Sequence, residues 1–388
     1  MIRDLASLLA PESEESFLDH FLQKKRLHVR SADPARAAPL FPWSTINQLI
    51  ESDLLPSDRL RVLRANTEIL PALFRHSDGA RQLRPGALQA LLRQGVSLVI
   101  NGIGDFVPRI GHLTDAIERR LGHRAWANAY LSFGRGSAFR SHWDPHDVLV
   151  LQIHGRKRWG SHGIPMPFPL ENHGPSEPFG SEVVWEDLLE PGDVLYLPRG
   201  EVHKATLDGP NSVHITIGIQ APRGVDFIHW LADKAAAEVP ARMDLTRLGG
   251  EAALCQQERE LKERLHALID SISLATYLDA EDAKRKARPL LSLGLADHLV
   301  GATMIVPSLR RRIPVATDGD AELAVTIGGE SYRLSPERRR VLAHVLECGG
   351  LTFGALVAAF GTTTDETTLR DSVIDLCRQG LLGLQEGS

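Results

Sequence analysis

Residues 141–159 read SHWDPHDVLVLQIHGRKRW, and this stretch decides the expected fold. On an extended strand, residues two apart share a face, so His142 and Asp144 point the same way while Trp143 points the opposite way. One imidazole and one carboxylate therefore reach a common point. The apolar run Val148–Ile153 then predicts a buried strand directly after them.

A second imidazole is available from residues 191–203, which read PGDVLYLPRGEVH. In this segment a turn precedes an apolar strand, a second turn reverses the chain, and His203 opens the next strand. Two histidines and one carboxylate on one face of an octahedron leave three coordination positions open. That arrangement suits non-haem Fe(II), which must hold a cosubstrate and O2 together. We therefore predict that His142, Asp144 and His203 are the metal ligands and the catalytic centre.

An H-x-D triplet alone is a weak signal, because this chain of 16 histidines contains a second one, His76-Ser77-Asp78. That second triplet lies in a polar loop with no strand to direct its side chains, and we interpret it as a surface element. For the first triplet, the alternative is a core histidine paired with an aspartate for structure. Buried ionisable pairs are costly without a function, which favours the metal site. We place His146 and His154 outside the ligand set.

A dicarboxylic keto acid bound to such an iron needs a cation at its far end. His154 and Gly155 are predicted to form a tight turn, and Arg156-Lys157-Arg158 to begin a return strand. Lys157 then lies on one face of that strand and the two arginines on the other. A basic run is usually a solvated surface, so the prediction that Lys157 binds the cosubstrate depends on the neighbouring metal ligands.

Two further predicted strands each have one polar and one apolar face. Burying a polar face inside a barrel costs free energy unless that face contacts a ligand or water. We therefore expect the two polar faces to line the cavity; the alternative is that they are exposed on the outside of the barrel. The polar positions are Asn128, Tyr130 and Ser132 on the first strand, and Ser212, His214, Thr216 and Gly218 on the second.

The order of these patterns predicts an α+β fold. Short apolar runs separated by Gly and Pro turns indicate an antiparallel double-stranded β-helix, or jelly roll, over residues 96–222. Residues 1–95 are predicted to be a mostly helical N-terminal part, 223–311 a helical region, and 312–388 a winged-helix-like module of three helices with flanking strands. The helical region over residues 223–311 carries an apolar stripe at Leu261, Leu265, Leu268, Ile269 and Ile272, which fits either a dimer interface or packing within the monomer.

The composition narrows the functional classes. A chain of 388 residues with 43% hydrophobic and 24% charged residues is typical of a globular protein of two or three domains. The net charge of −5 gives no overall basic field, and the predicted helix over residues 365–379 carries more acids than arginines, so direct DNA binding is not expected. Three scattered cysteines, the absence of a signal-peptide pattern and the absence of a run of roughly 20 apolar residues predict a cytoplasmic protein without a membrane span.

The two quoted segments, together with FLDHFLQKKRLHV at residues 17–29, resemble the ribosomal oxygenases, a JmjC-type branch of the Fe(II)- and 2-oxoglutarate-dependent oxygenases. The resemblance implies the JmjC/cupin jelly roll, a helical dimerisation region and a terminal winged helix. It also implies Fe(II) as the cofactor, 2-oxoglutarate and O2 as cosubstrates, a homodimer, and hydroxylation of an arginyl or histidyl side chain in a ribosomal protein.

By position, the resemblance assigns the iron to the three ligands above and the distal carboxylate of 2-oxoglutarate to Lys157 and Tyr130. Asn128, His214 and Ser212 match other residues of the cosubstrate pocket. Three alternatives stay open: a JmjC hydroxylase of a peptide or natural-product precursor, a lysine demethylase, and a jelly roll that binds a partner without metal. The glycine pairs at 102–104 and 134–136 lack the third glycine of a dinucleotide-binding turn.

Overall fold

The computed structural model describes residues 2–52, 55–56, 58–64, 67–76, 83–134, 140–171, 182–294, 299–311, 322–360 and 363–385. The chain divides into two compact units, residues 1–220 and residues 221–388. The candidate site lies in the first unit, which is built around one large antiparallel sheet. Its described strands are β1 (Leu27–Val29), β2 (Leu60–Arg64), β3 (Thr67–Glu68), β4 (Ser97–Ile100), β5 (Arg124–Phe133), β6 (Asp147–Gly163), β7 (Trp185–Leu189), β8 (Val194–Leu197) and β9 (Val202–Gln220).

The sheet order is β1-β8-β6-β9-β5-β4-β2-β3, with β7 paired to the far end of β6. The two long strands β6 and β9 pair along almost their whole length, and β9 pairs with β5 on its other side. Because β6 and β9 each run past the end of one neighbour and pair with another, the sheet curls into a barrel with an inner and an outer face. The jelly-roll core expected from the sequence is therefore present.

Alternation along the strands decides which side chains face inward. The apolar residues of β5 and β9 belong to a buried cluster with the helices, whereas the intervening polar residues face the inside of the barrel. A smaller apolar cluster fills part of the interior around Val150, Trp159 and Leu195. The buried outward residues of β5 and β9 are Ala125, Ala127, Ala129, Leu131, Val213, Ile215, Ile217 and Ile219.

Short helices cover the outer face. The longest begins at Pro108, whose missing N–H costs nothing at a first helical position, and ends at Gly122 in the left-handed conformation. Its buried Glu118 accepts a hydrogen bond from the Ala125 N–H at 2.9 Å, which fixes the start of β5. The described helices of this unit are α1 (Leu5–Leu9), α2 (Glu14–His20), α3 (Trp43–Glu51), α4 (Pro85–Arg93) and α5 (Pro108–Leu121).

Two sequence expectations need correction. Residues 1–95 are not mostly helical, because β1, β2 and β3 lie there and extend the sheet at both ends. The predicted reversal at His154 and Gly155 is also wrong. The chain continues as one strand, β6, and Gly155, at φ 62°, lies in a register irregularity against β9. A bulge absorbs the glycine without turning the strand.

The second unit contains two groups of elements. The helices α6 (Gly224–Ala235), α7 (Val239–Arg242), α8 (Gly250–Ser271) and α9 (Leu274–Ala283) come first, with Phe227, Trp230 and Tyr277 in mutual ring contact. The remaining described elements are β10 (Met304–Pro307), β11 (Leu323–Ile327), β12 (Glu330–Leu334), α10 (Pro336–Cys348), β13 (Leu351–Thr352), α11 (Phe353–Phe360), α12 (Glu366–Arg378) and β14 (Leu382–Gln385).

In that second group, three helices share a buried core with a three-stranded sheet of order β13-β10-β14, while β11 and β12 form a separate hairpin. The helices and strands occupy the expected segments, and their identity as a winged helix stays a prediction. Among the described residues, no helix is both long enough and apolar enough to cross a bilayer.

Candidate functional site

Three potential metal ligands converge where β9 begins. One nitrogen from His142, one oxygen from Asp144 and one nitrogen from His203 all lie within 4.8 Å of one another. The Nε2 atom of His203 is 3.6 Å from the Asp144 carboxylate. Among the described residues, this is the only group of three or more His, Cys, Asp or Glu side chains with that geometry.

Backbone hydrogen bonds hold the three ligands in place. His142 and His203 form an antiparallel bridge, with His142 N donating to His203 O at 3.1 Å and His203 N donating to His142 O at 2.8 Å. The turn before β9 contributes Gly200, whose N–H donates to the Asp144 carbonyl at 3.1 Å. The two segments quoted from the sequence are thus tied together at the site itself.

The tautomers of both histidines suit metal binding. His142 Nδ1 lies 2.9 Å from the Arg140 carbonyl, and His203 Nδ1 lies 3.0 Å from the Glu201 carbonyl. Since a carbonyl only accepts, each Nδ1 carries the proton and each Nε2 keeps its lone pair for a ligand. Burial and the neighbouring His142 imidazole lower the pKa of His203, which keeps that ring neutral.

These ligands fit Fe(II). Two nitrogens and one oxygen, without sulfur, form the mixed donor set of non-haem iron sites with open positions. His146 is not part of the cluster; its ring packs on Trp126 at 4.7 Å. His154 points to the outer face, where it stacks on Trp43 and Nε2 lies 3.0 Å from the Phe41 carbonyl. His76 is exposed, and the other two residues of its triplet lie outside the described residues.

A buried ammonium lies further along β6. Lys157 is 4% exposed, and Nζ donates to the Ser132 hydroxyl at 3.0 Å. Arg156 and Arg158 are on the opposite face, where both pair with Asp208. Burial lowers the pKa of Lys157 to about 7, because no carboxylate of the described residues compensates for the lost hydration.

Tyr130 and His214 form a cross-strand pair on the inner face of β5 and β9. Their rings stack at 4.9 Å and an angle of 2°. Burial, followed by the charge of Asp144, raises the pKa of Tyr130 to about 12, so its hydroxyl stays protonated. Burial and the nearby Lys157 lower the pKa of His214 well below its usual value, so its ring stays neutral.

The remaining predicted pocket residues have other partners. Asn128 hydrogen-bonds the Tyr130 hydroxyl, and its Oδ1 accepts from the Gly102 N–H at 3.0 Å. Ser212 is fully buried and accepts from Gln152 Nε2 at 2.8 Å. Asn128 therefore positions Tyr130, and Ser212 is hydrogen-bonded to Gln152. Within the described residues, neither of them makes a hydrogen bond to Lys157.

Sequence reasoning missed three inward-facing side chains. Trp159 is two residues from Lys157, and its ring contacts those of His203 and His214 at 5.8 and 5.6 Å. Gln152 bonds Ser212, and Ser97 donates to Ser132 at 3.1 Å. The alternation of inward and outward residues along β6 indicates that Gln152 and Trp159 face the interior. Ser97, in contrast, can be recognised only from its partner on the neighbouring strand.

Among the buried polar atoms that lack a hydrogen-bond partner in the described residues, three belong to the inward-facing side chains of this barrel: His214 Nδ1, Trp159 Nε1 and Gln152 Oε1. Buried polar groups are nearly always paired in folded proteins, so unpaired atoms beside a buried ammonium mark a place where a polar ligand is expected. The residues present therefore fit an anionic cosubstrate as well as a metal.

Comparison with known proteins agrees with this geometry. The JmjC domain family matches residues 104–227. The chain is 28% identical over 223 residues to a Caenorhabditis elegans protein named bifunctional lysine-specific demethylase and histidyl-hydroxylase NO66, an alignment covering 55% of this chain and 29% of that protein. It is 27% identical over 292 residues to ribosomal oxygenase 2 of Rattus norvegicus, covering 72% of this chain and 62% of the rat protein. The chain thus spans less than two thirds of these relatives.

Solved structures match over nearly the whole chain. The ribosomal oxygenase YcfD from Escherichia coli superposes with a TM-score of 0.58 and 17% identity, covering 97% of this chain and 98% of that one. The same protein in complex with cobalt and 2-oxoglutarate gives a TM-score of 0.54 at 17% identity. Residues 104–227 therefore match the JmjC domain family, and the chain is similar to proteins named ribosomal oxygenase 1 and ribosomal oxygenase 2 over 54% and 72% of its length.

Proposed function

We propose that this chain is an Fe(II)- and 2-oxoglutarate-dependent oxygenase that hydroxylates an arginyl or histidyl side chain of a ribosomal protein. The observation that carries the proposal is the convergence of His142, Asp144 and His203, with ligand atoms within 4.8 Å of one another, in the same barrel as the buried Lys157. A buried lysine without an acidic partner is costly, and an incoming dicarboxylate supplies that partner.

The roles of the side chains follow from their places. His142, Asp144 and His203 would hold the iron, which supplies the activation of O2 when it is bound. Lys157 would bind the distal carboxylate of 2-oxoglutarate, with the Ser132 hydroxyl beside it. The neutral His214 and the protonated Tyr130 would donate hydrogen bonds without adding charge, and Trp159 would exclude water next to His203.

The substrate class rests on the names of the relatives. The worm protein is named for two activities, demethylation of lysine and hydroxylation of histidine, whereas the rat protein and the bacterial one are named ribosomal oxygenases. Hydroxylation is the better proposal here because the whole-chain structural match is to a ribosomal oxygenase. The cytoplasmic location expected from the sequence is consistent with a ribosomal substrate.

The test is an anaerobic reconstitution with Fe(II), followed by addition of 2-oxoglutarate, ribosomal proteins and air. We expect one ribosomal protein to gain the mass of one oxygen atom at an arginine or histidine, with stoichiometric succinate. Formaldehyde release from methyl-lysine peptides, without oxygen gain on ribosomal proteins, would instead establish the demethylase. A small peptide as the sole acceptor would establish the peptide hydroxylase.

Matched variants separate the metal site from the rest of the chain. Asp144→Ala removes the carboxylate ligand and should abolish turnover and metal retention, since two imidazoles hold Fe(II) poorly. His76→Ala changes the histidine of the other H-x-D triplet and should leave both unchanged. Full activity of the Asp144 variant would refute the metal site, and a wild-type protein that retains no metal would favour the metal-free binding module.

We also propose a homodimer through α8. None of the 22 residues of this helix is buried, although Leu261, Leu265 and Leu268 form one apolar stripe along it. The other described residues of the chain do not fully cover this apolar helix face. Such a face is a common dimer interface.

A further inference from the structure

Ser97 occupies an unusual position for a serine. It begins β4, a strand whose four residues are all buried, and the other three are Leu98, Val99 and Ile100. Serine is a poor strand former, and its hydroxyl loses hydration here at an exposure of only 6%. Hydrogen bonds must therefore offset the cost of burying the Ser97 hydroxyl here.

The partner of Ser97 is the serine directly across the ladder. Ser97 pairs in register with Ser132 on β5, and Ser97 Oγ donates to Ser132 Oγ at 3.1 Å. Leu98 and Ile100 belong to the outer core cluster with the helices, so alternation places Ser97 on the inner face, the face of Lys157 and Ser132.

The hydrogen bonds of Ser132 determine where its own proton points. Its Oγ accepts from Ser97 at 3.1 Å and from Lys157 Nζ at 3.0 Å. A hydroxyl has two lone pairs and one proton. Both lone pairs are occupied by these two donors, so the Ser132 O–H is left to donate. At this point in the barrel, the Lys157 ammonium and the Ser132 hydroxyl are both available as hydrogen-bond donors.

We propose that Ser97 is a positioning residue of the cosubstrate site. By donating to Ser132, it prevents that hydroxyl from accepting elsewhere and directs its proton toward the distal carboxylate that Lys157 attracts. This inference rests on the proposed function, because it takes 2-oxoglutarate as the ligand. Ser97 precedes residues 104–227, so the site extends one strand beyond the recognised JmjC domain.

The test measures binding rather than turnover. Co(II)-loaded protein is titrated with 2-oxoglutarate, and with pyruvate, which keeps the keto-acid end but has no distal carboxylate. Calorimetry and the Co(II) absorption spectrum both report binding. Ser97→Ala should weaken 2-oxoglutarate binding by about threefold to tenfold, the effect of one neutral hydrogen bond, and leave pyruvate binding unchanged. Ser97→Thr keeps a hydroxyl and should restore most of the affinity.

Coupling to Ser132 distinguishes positioning from general packing. Ser132→Ala should weaken 2-oxoglutarate binding more than Ser97→Ala does, and adding Ser97→Ala to it should cause no further loss. Ser372→Ala, a serine of the second unit that is also 6% exposed, serves as the control for loss of a buried hydroxyl.

Three outcomes would overturn the inference: unchanged 2-oxoglutarate binding in Ser97→Ala, an equal loss for pyruvate, or additive effects of the two serine variants. Wild-type protein that binds Co(II) but no 2-oxoglutarate would contradict the proposed function itself. The two failures are therefore distinguishable.

Discussion

Lys157 is a buried side chain whose surroundings fit its charge poorly. It is a buried ammonium whose hydrogen bond goes to a neutral hydroxyl, and burial lowers its pKa to about 7. The alternation of Arg156, Lys157 and Arg158 made the inward direction predictable from the sequence, even though the expected turn before them is absent. The low pKa was not predictable, because it depends on which groups the other strands bring close.

Removing the ammonium should weaken the cosubstrate interaction. Lys157→Ala is expected to raise the 2-oxoglutarate concentration needed for half-maximal turnover by roughly tenfold to a hundredfold, since a hydrogen bond to a charged group contributes about 1.5–3 kcal/mol. Steady-state kinetics with varied 2-oxoglutarate measure this. Arg158→Ala, a neighbour on the outer face, is the control and should behave like wild type. An unchanged requirement in the Lys157 variant would remove this residue from the site.

The same residue predicts a pH dependence of binding. A carboxylate stabilises the charged form of Lys157, so binding raises its pKa above the value of about 7 in the free protein. Below that pH the lysine is already protonated and affinity should be flat. Above it, binding must take up a proton, and affinity should fall by up to tenfold for each pH unit.

Calorimetry in buffers of different ionisation enthalpy, at about pH 6 and about pH 8.5, measures that proton uptake. Lys157→Arg keeps a permanent charge and should lose the dependence. Proton release on binding to wild type, or the same pH profile in the arginine variant, would contradict the assignment.

Among the elements, β9 does most to assemble the site. It carries His203 near its start and His214 further along, and it pairs with β6 on one side and β5 on the other. One strand thus positions the proposed metal ligand His203 and the pocket residue His214, and it lies between the strands that carry Tyr130 and Lys157. Its contribution was partly predictable, since the alternation of polar and apolar residues after Ser212 indicated a cavity face.

The contact between β9 and the Gly155 bulge should be sensitive to substitution. Gly155 has φ 62°, and a Cβ there would lie 2.1 Å from the Asn211 carbonyl oxygen. Gly155→Ala is expected to destabilise the first unit by about 1–3 kcal/mol, because it combines a left-handed conformation with a backbone clash. Urea unfolding followed by tryptophan fluorescence measures the loss. Gly86→Ala, where a Cβ meets nothing within 4 Å, is the control; equal stability of the two variants would refute the bulge geometry.

Other elements could not have been predicted from local patterns. β1 has three residues and β3 has two, too few for any periodicity to appear, so their pairing with distant strands determines them. The roles of Ser97 and Gln152 likewise depend on cross-strand partners far away in sequence. The convergence of His142, Asp144 and His203 was predictable because both sequence segments carry their own strand and turn signals.

For the molecule as a whole, the proposed homodimer gives a prediction about the surface of α8. The stripe on α8 predicts that a charge placed within it separates the copies. Ile269 is 49% exposed in the single chain, so Ile269→Arg should leave the fold intact while converting a dimer to a monomer in gel filtration with light scattering. Glu263→Arg, on the charged side of α8, should stay dimeric. A wild-type protein that is monomeric at micromolar concentration would exclude the interface.

The placement of Asp144 and Lys157 along one stretch of backbone has a consequence for the size of a bound molecule. Asp144 is fixed through Gly200, and Lys157 follows within the continuous strand β6, so hydrogen-bonded backbone sets the separation between the Asp144 carboxylate and the Lys157 amine. Under the proposed function, this fixed separation predicts that diacids one methylene shorter or longer than 2-oxoglutarate bind more weakly than 2-oxoglutarate itself. Chain length as well as charge would then decide which diacid binds.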